Sequence, residues 1–257
     1  DVAPSRGLGD VYKRQVMNIF NNKVYHCFGT EKSFNVSIEE AARMIEVSQI
    51  KKIPINTHAI DTVNSWKDLP IGYGDATWNK VSEVIELREC EPVWNINLAH
   101  TTEEAIERVQ KVTRLGGVRN IKLEVLDEEN KWVQNAQVLE ATKLLRQEGY
   151  NIWPLIRPEF AIFKELSQMG IELIRIQGSA ISSGKGISDE FRDIFKQIIK
   201  FKKCPVMLDG GIGGIQDVEQ IFNLGFDYVL VNSCLFKEGK SPHIILKEIC
   251  EKFSNNC

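Results

Sequence analysis

The chain has 257 residues, 43% of them hydrophobic and 26% charged, enough for one large folded domain with a substantial core. Its net charge of −3 comes from interspersed acidic and basic residues, which leaves no nucleic-acid footprint, and its apolar runs are strand-length, too short to cross a membrane. Six cysteines without a C-x-x-C pair and four histidines without ligand spacing argue against a disulfide framework and a metal centre, and free thiols point to the cytoplasm.

Residues 1–16 read as a non-native leader, because Gly9-Asp10-Val11-Tyr12-Lys13-Arg14-Gln15 resembles translated adapter sequence and Met17 resembles a natural start. Residues 17–257 then form one domain. Val24–Phe28 is predicted as a strand, and Ser37 with Glu40 forms a capping-box signature opening a helix. A second strand spans Lys52–Thr57, followed by a loop-like stretch from Ala59 to Asp75 and a third strand, Val93–Leu98. Thr101 and Glu104 repeat the capping signature. Further strands are expected at Val118–Val125, Asn151–Ile156, Glu172–Ile176, Val206–Leu208 and Tyr228–Val231. Helical patterns at Asn135–Glu148, Phe160–Met169, Glu190–Phe201 and Val218–Leu224 separate them, and Gly149, Gly170 and Gly225 stand where helix C-caps belong. Eight strands alternating with helices predict an α/β protein, a single (β/α)₈ TIM barrel, with an open doubly wound sheet as the alternative.

In a parallel barrel the chemistry sits at the C-terminal ends of the strands. Along Ile121-Lys122-Leu123-Glu124-Val125 the side chains alternate, so the apolar set suits the helix-facing side and Lys122 and Glu124 point into the barrel. A lysine desolvated there can supply a neutral amine to attack a ketone, and Glu124 can move the protons; a purely structural ion pair is the competing reading. After the seventh strand, Asp209-Gly210-Gly211-Ile212-Gly213-Gly214 is suited to cradling a phosphate with backbone amides, aided by the helix N-terminus near Asp217, or is simply a tight turn. Asp209 is a candidate acid or base, and Asn232 and Ser233 add polar groups after the eighth strand. The small, polar loop Gly178–Gly186, which includes Ser182 and Gly184, is placed to lie over a substrate.

Taken together and in this order, these segments resemble bacterial thiazole synthase of thiamin biosynthesis. The Lys-x-Glu strand is similar to that family's Schiff-base strand, Gln177–Gly186 to its glycine-serine loop and Leu208–Gly213 to its Asp-Ala-Gly-Ile-Gly turn. Val229–Ser233 resembles its strand-eight segment, and Gly29-Thr30 with Lys32 and Ser33 its Gly-Thr-Gly-Lys opening. The chain departs from the pattern at Ser182, where the family loop has a glycine, and at Asn56-Thr57-His58-Ala59, in place of an Ala-Leu-Arg-Arg run. The resemblance implies a homo-oligomeric barrel without a metal or a bound organic cofactor. Such an enzyme joins 1-deoxy-D-xylulose 5-phosphate, dehydroglycine and sulfur from the C-terminal thiocarboxylate of a small sulfur-carrier protein. It further implies that Lys122 forms the imine, that Glu124 and Asp209 handle protons, and that Ser182, Gly184, Gly210, Gly211, Asn232 and Ser233 hold the phosphorylated sugar. A Schiff-base aldolase or isomerase acting on another sugar phosphate, and an inert phosphate-binding barrel, remain alternatives.

Overall fold

The computed structural model describes residues 22–29, 35–236 and 239–253, so the leader, Thr30, Lys32 and Ser33 lie outside the described residues. Eight strands form one parallel sheet: β1 (Val24–His26), β2 (Lys52–Asn56), β3 (Glu91–Ala99), β4 (Asn120–Val125), β5 (Asn151–Ile156), β6 (Ile174–Gln177), β7 (Val206–Asp209) and β8 (Tyr228–Val231). Each is followed by a helix: α1 (Ile38–Ser48), α2 (Trp78–Ser82), α3 (Thr102–Leu115), α4 (Asn135–Gln147), α5 (Phe160–Gln168), α6 (Arg192–Phe201), α7 (Ile215–Leu224) and α8 (Pro242–Phe253). The strand order β1-β8-β7-β6-β5-β4-β3-β2 is that of a (β/α)₈ barrel and excludes the doubly wound alternative, whose order reverses midway.

The ring has a seam. Among the described residues no hydrogen-bonded ladder joins β1 to β2. The Tyr25 hydroxyl, donating to the Lys52 carbonyl at 2.5 Å, bridges the two there. On the other side of β1, the Asn232 carboxamide clasps Gly29, accepting from its N–H and donating to its carbonyl, each at 3.0 Å.

The expected caps form. Ser37 and Thr101 each accept from the amide three residues on, and Gly149, Gly170 and Gly225 adopt positive φ just past their helices. The reciprocal half of the first capping box does not form. Glu40 instead accepts from the backbone N–H of His243 at 2.7 Å and pairs with its ring, stapling α1 to the start of α8. The stretch after β2 contains two 3₁₀ turns and the five-residue α2, whose start is capped by the Thr77 hydroxyl. Five residues are too few for a readable helical period. β3 runs longer than expected and carries a register irregularity between Ile96 and Ala99.

The apolar faces of the strands meet the helices, with Ile121, Leu123, Val125, Ile174, Ile176 and Leu208 fully buried in that layer. A polar pair shares it. His26, on the outward face of β1, pairs through Nε2 with the Ser48 hydroxyl at the end of α1, at 2.8 Å. Burial lowers the pKa of this ring to about 4, a hydrogen bond with the Cys27 carbonyl opposing it. Because the folded value lies below the unfolded one, near 6.5, the neutral ring is compatible with the fold at neutral pH. Stability is then lost as pH falls from about 6.5 toward 4, by roughly 3 kcal/mol. Urea unfolding at pH values spanning that window should show this decline in the wild type and a flatter one in His26→Gln; equal slopes would refute the assignment.

Candidate active site

Lys122 and Glu124 project into the mouth of the barrel as their alternation predicts, both almost fully buried. Lys122 donates to Asn95 Oδ1, its register partner on β3, at 3.1 Å and forms an ion pair with Glu124 Oε1. Asp209 ends β7, three strands round the ring from β4. Between the two carboxylates lies a residue that the sequence reading passed over: Arg175 of β6, with no exposed surface. Its Nη1 donates to Glu124 Oε1 at 2.9 Å and to Asp209 Oδ2 at 2.5 Å, while Nε and Nη2 donate to the carbonyls of Trp153 and Leu123. A signal for it existed. Ile174-Arg175-Ile176 is a lone charge in an apolar strand, the same period-two pattern that revealed Lys122.

The two carboxyls are driven in opposite directions. Burial is the strongest influence on Glu124 and pushes its pKa up, but Lys122 and Arg175 together overcome it and hold the group below the usual carboxylate range. For Asp209 burial wins over the pull of the same two cations, helped by the negative charge of Glu124, and the pKa is raised. Separation of this kind marks division of labour between an anion and a proton carrier. Cys27 also faces the mouth, but burial raises its thiol to about 11, which leaves it no nucleophilic thiolate at neutral pH.

Above these groups lies a cavity of about 650 Å³, lined on the catalytic side by Lys122, Glu124, Asp209, Gly210, Gly211 and Ser233. Its opposite wall holds His58 stacked on Tyr73, with ring centroids 5.1 Å apart, and Asn97. The meeting of these three residues was not expected from the sequence, since it depends on how the loop after β2 folds beside β3.

The glycine turn has the geometry expected of an anion cradle at only part of its length. Gly210 and Gly211 adopt left-handed φ of 92° and 81°, and a Cβ on Gly211 would overlap the Ser179 hydroxyl. Gly213, however, donates its amide to Asp217 Oδ2 at 2.7 Å. The amide just before α7 is thus taken by the protein's own Asp217 carboxylate, which leaves that amide no part in holding a phosphate. Asn232 lines the cavity, yet its carboxamide is already engaged with Gly29 on both its donor and its acceptor side.

The loop after β6 is a wall rather than a free lid. Ser179 donates to the Gly186 carbonyl, Gly186 to that of Gly211, and Ile181 to that of Lys131. Ser182 reaches the cavity with φ of 62°, keeping the left-handed turn for which the resemblance expects a glycine. Gly184 does not line the cavity. It stands against Gly213 of the glycine turn.

A parallel barrel with a buried lysine paired to one carboxyl, a buried arginine joining that carboxyl to a second, and a glycine turn beside them at the C-terminal mouth has the layout of a barrel enzyme. The chain matches the model of the family described as "Thiazole biosynthesis protein ThiG" over residues 38–245. It is 28% identical to thiazole synthase of Thermodesulfovibrio yellowstonii over 231 residues, 89% of this chain and 82% of the relative. To the thiazole synthase of Citrifermentans bemidjiense it is 30% identical over 199 residues, covering 77% and 71%. The structure of BexX in the BexX/CysO complex of Amycolatopsis orientalis shares the fold, with a TM-score of 0.76 at 20% identity over 90% of this chain and 88% of that one. The chain belongs to the thiazole synthase family. As a member it is a sulfur-incorporating transferase of thiamin biosynthesis. Among the described residues no helix is long and apolar enough to cross a membrane.

Proposed function

We propose that this chain condenses 1-deoxy-D-xylulose 5-phosphate with dehydroglycine and with sulfur carried as a C-terminal thiocarboxylate on a small protein. The observation that carries this reading is the buried contact of Lys122 with Glu124, joined to Asp209 through Arg175, in the lining of a cavity that also contains the glycine turn. Lys122 Nζ, once it has given up its ammonium proton, attacks the sugar ketone. The new N–C bond forms as the carbonyl oxygen takes a proton, and a second proton lets that oxygen leave as water, giving the imine. Asp209 is suited to deliver and recover these protons, and the Glu124 anion to stabilise the iminium that results. The Gly210-Gly211 turn and Ser233 face the cavity where a phosphate would sit, with Ser182 at the opposite edge of the turn. A small carrier protein as partner is supported by the fold shared with BexX, found in complex with CysO. Free thiols at Cys27, Cys90, Cys204, Cys234 and Cys250 suit a reducing cytoplasm.

The test is borohydride trapping of the full chain with 1-deoxy-D-xylulose 5-phosphate, followed by peptide mass spectrometry. A substrate-sized adduct on the peptide carrying Lys122 is expected. A protein that turns over another sugar phosphate without a sulfur donor would point instead to a barrel aldolase or isomerase.

A further inference from the structure

Arg175 is the one member of the buried charge cluster that no part of the proposed reaction uses. It has no exposed surface, so it cannot touch a substrate. Its guanidinium is nonetheless the hub of the site. It donates to Glu124 and Asp209 from a single nitrogen, and its other donors are tied to the carbonyls of Trp153 on β5 and Leu123 on β4. Four strands, β4 to β7, therefore converge on one rigid plane, and guanidinium geometry leaves little freedom in where the two carboxyls point.

The two carboxyls are not held equally. Glu124 Oε1 receives both Arg175 and Lys122, two cationic donors on one oxygen. Asp209 receives Arg175 alone, on Oδ2; its Oδ1 has no hydrogen-bond partner among the described residues, and Asp209 lines the cavity. Without Arg175 the cluster would hold one ammonium against two carboxyls, and the proton they shared would have no assigned place. With it, two cations face two carboxyls, and the more weakly held carboxyl faces the substrate.

We infer that Arg175 is a positioning residue that fixes Glu124 as a permanent anion beside Lys122 and leaves Asp209 as the carboxyl that carries the proton. This rests on the imine reading above for its catalytic meaning, and on geometry alone for the charge division. Asp209 delivers its proton to the departing ketone oxygen through the side turned to the cavity and recovers one from the incoming amine. Arg175 holds its other oxygen still throughout.

Two readouts test this on the full chain. The first is a substrate-free titration of ¹³C-labelled side-chain carboxyls in wild type, Arg175→Met and Arg175→Lys. In wild type, Glu124 should ionise at lower pH than Asp209. In Arg175→Met both should move up by about one unit or more, as expected for losing a charge in contact, while Arg175→Lys should stay near wild type. The second is the pH dependence of borohydride trapping. Its rising limb should move up by about one unit in Arg175→Met, a rate loss of about fivefold at the wild-type midpoint and about tenfold well below it, and return in Arg175→Lys.

A residue with a merely structural role would lower the yield of folded protein without moving either titration, so a folded Arg175→Met with wild-type titrations overturns the inference. Should that variant not fold, the wild-type titration decides, and an Asp209 that ionises before Glu124 overturns it. A wild type that gives no adduct at any pH refutes the imine reading instead, while the carboxyl titration still decides the role of Arg175.

Discussion

Lys122→Ala is expected to eliminate the trapped adduct and to cut thiazole phosphate formation on the order of 10³-fold or more, the scale seen when a covalent nucleophile is removed. The fold should survive the change. Removing one partner of a buried pair costs roughly 3–5 kcal/mol when it strands a charge, but here Arg175 still donates to the same oxygen of Glu124. Asn95 loses only a neutral acceptor's partner and can turn to the water that fills the space. A smaller loss of stability is therefore expected, readable by urea unfolding. Mass spectrometry separates chemistry from collapse: a folded variant that still shows a substrate-sized adduct on another lysine would sink the assignment of Lys122.

The second large effect belongs to Asp209→Asn. The carboxamide can accept from Arg175 as the carboxylate does, so the guanidinium keeps its place, but it cannot carry a proton. Loss of a positioned acid–base group typically costs about 10²–10⁴-fold, and this loss should fall on kcat, with KM for the phosphorylated sugar nearly unchanged because Gly210, Gly211 and Ser233 are intact. Steady-state kinetics alongside single-turnover trapping should show imine formation itself slowed. A kcat within a few-fold of wild type would mean that water or another group moves the proton.

How much of this was legible in the sequence depends on the range of the interactions involved. The inward placement of Lys122 and Glu124 follows from period-two alternation within a single strand, which is local information and is found as read. Strand number, parallel order and helix caps at Ser37, Thr101, Gly149 and Gly225 are local in the same sense. What escaped is what depends on distant pairings. Glu40 bonds a residue 203 positions away instead of closing its own capping box. Asn232, read as a substrate contact, is tied to Gly29 by an equal separation. Asp217, read only as a marker of a helix start, turns back to take the amide of Gly213 and so alters where an anion can be held. Arg175 differs from these, because its alternation was visible; its meaning arises only when β4 to β7 are brought together in one sheet.

The seam between β1 and β2 gives the barrel an uneven stiffness. Asn95, Lys122, Arg175 and Asp209 stand on β3, β4, β6 and β7, all within the arc where every strand is laddered to both neighbours. Along that arc a displacement of one reacting group drags the others with it, so their mutual distances are protected against thermal motion to the tolerance that amine attack demands. Compliance is left to the side where a tyrosine hydroxyl does the work of a ladder, away from the atoms that react. Any give at that seam is therefore taken up outside the laddered arc that carries these groups.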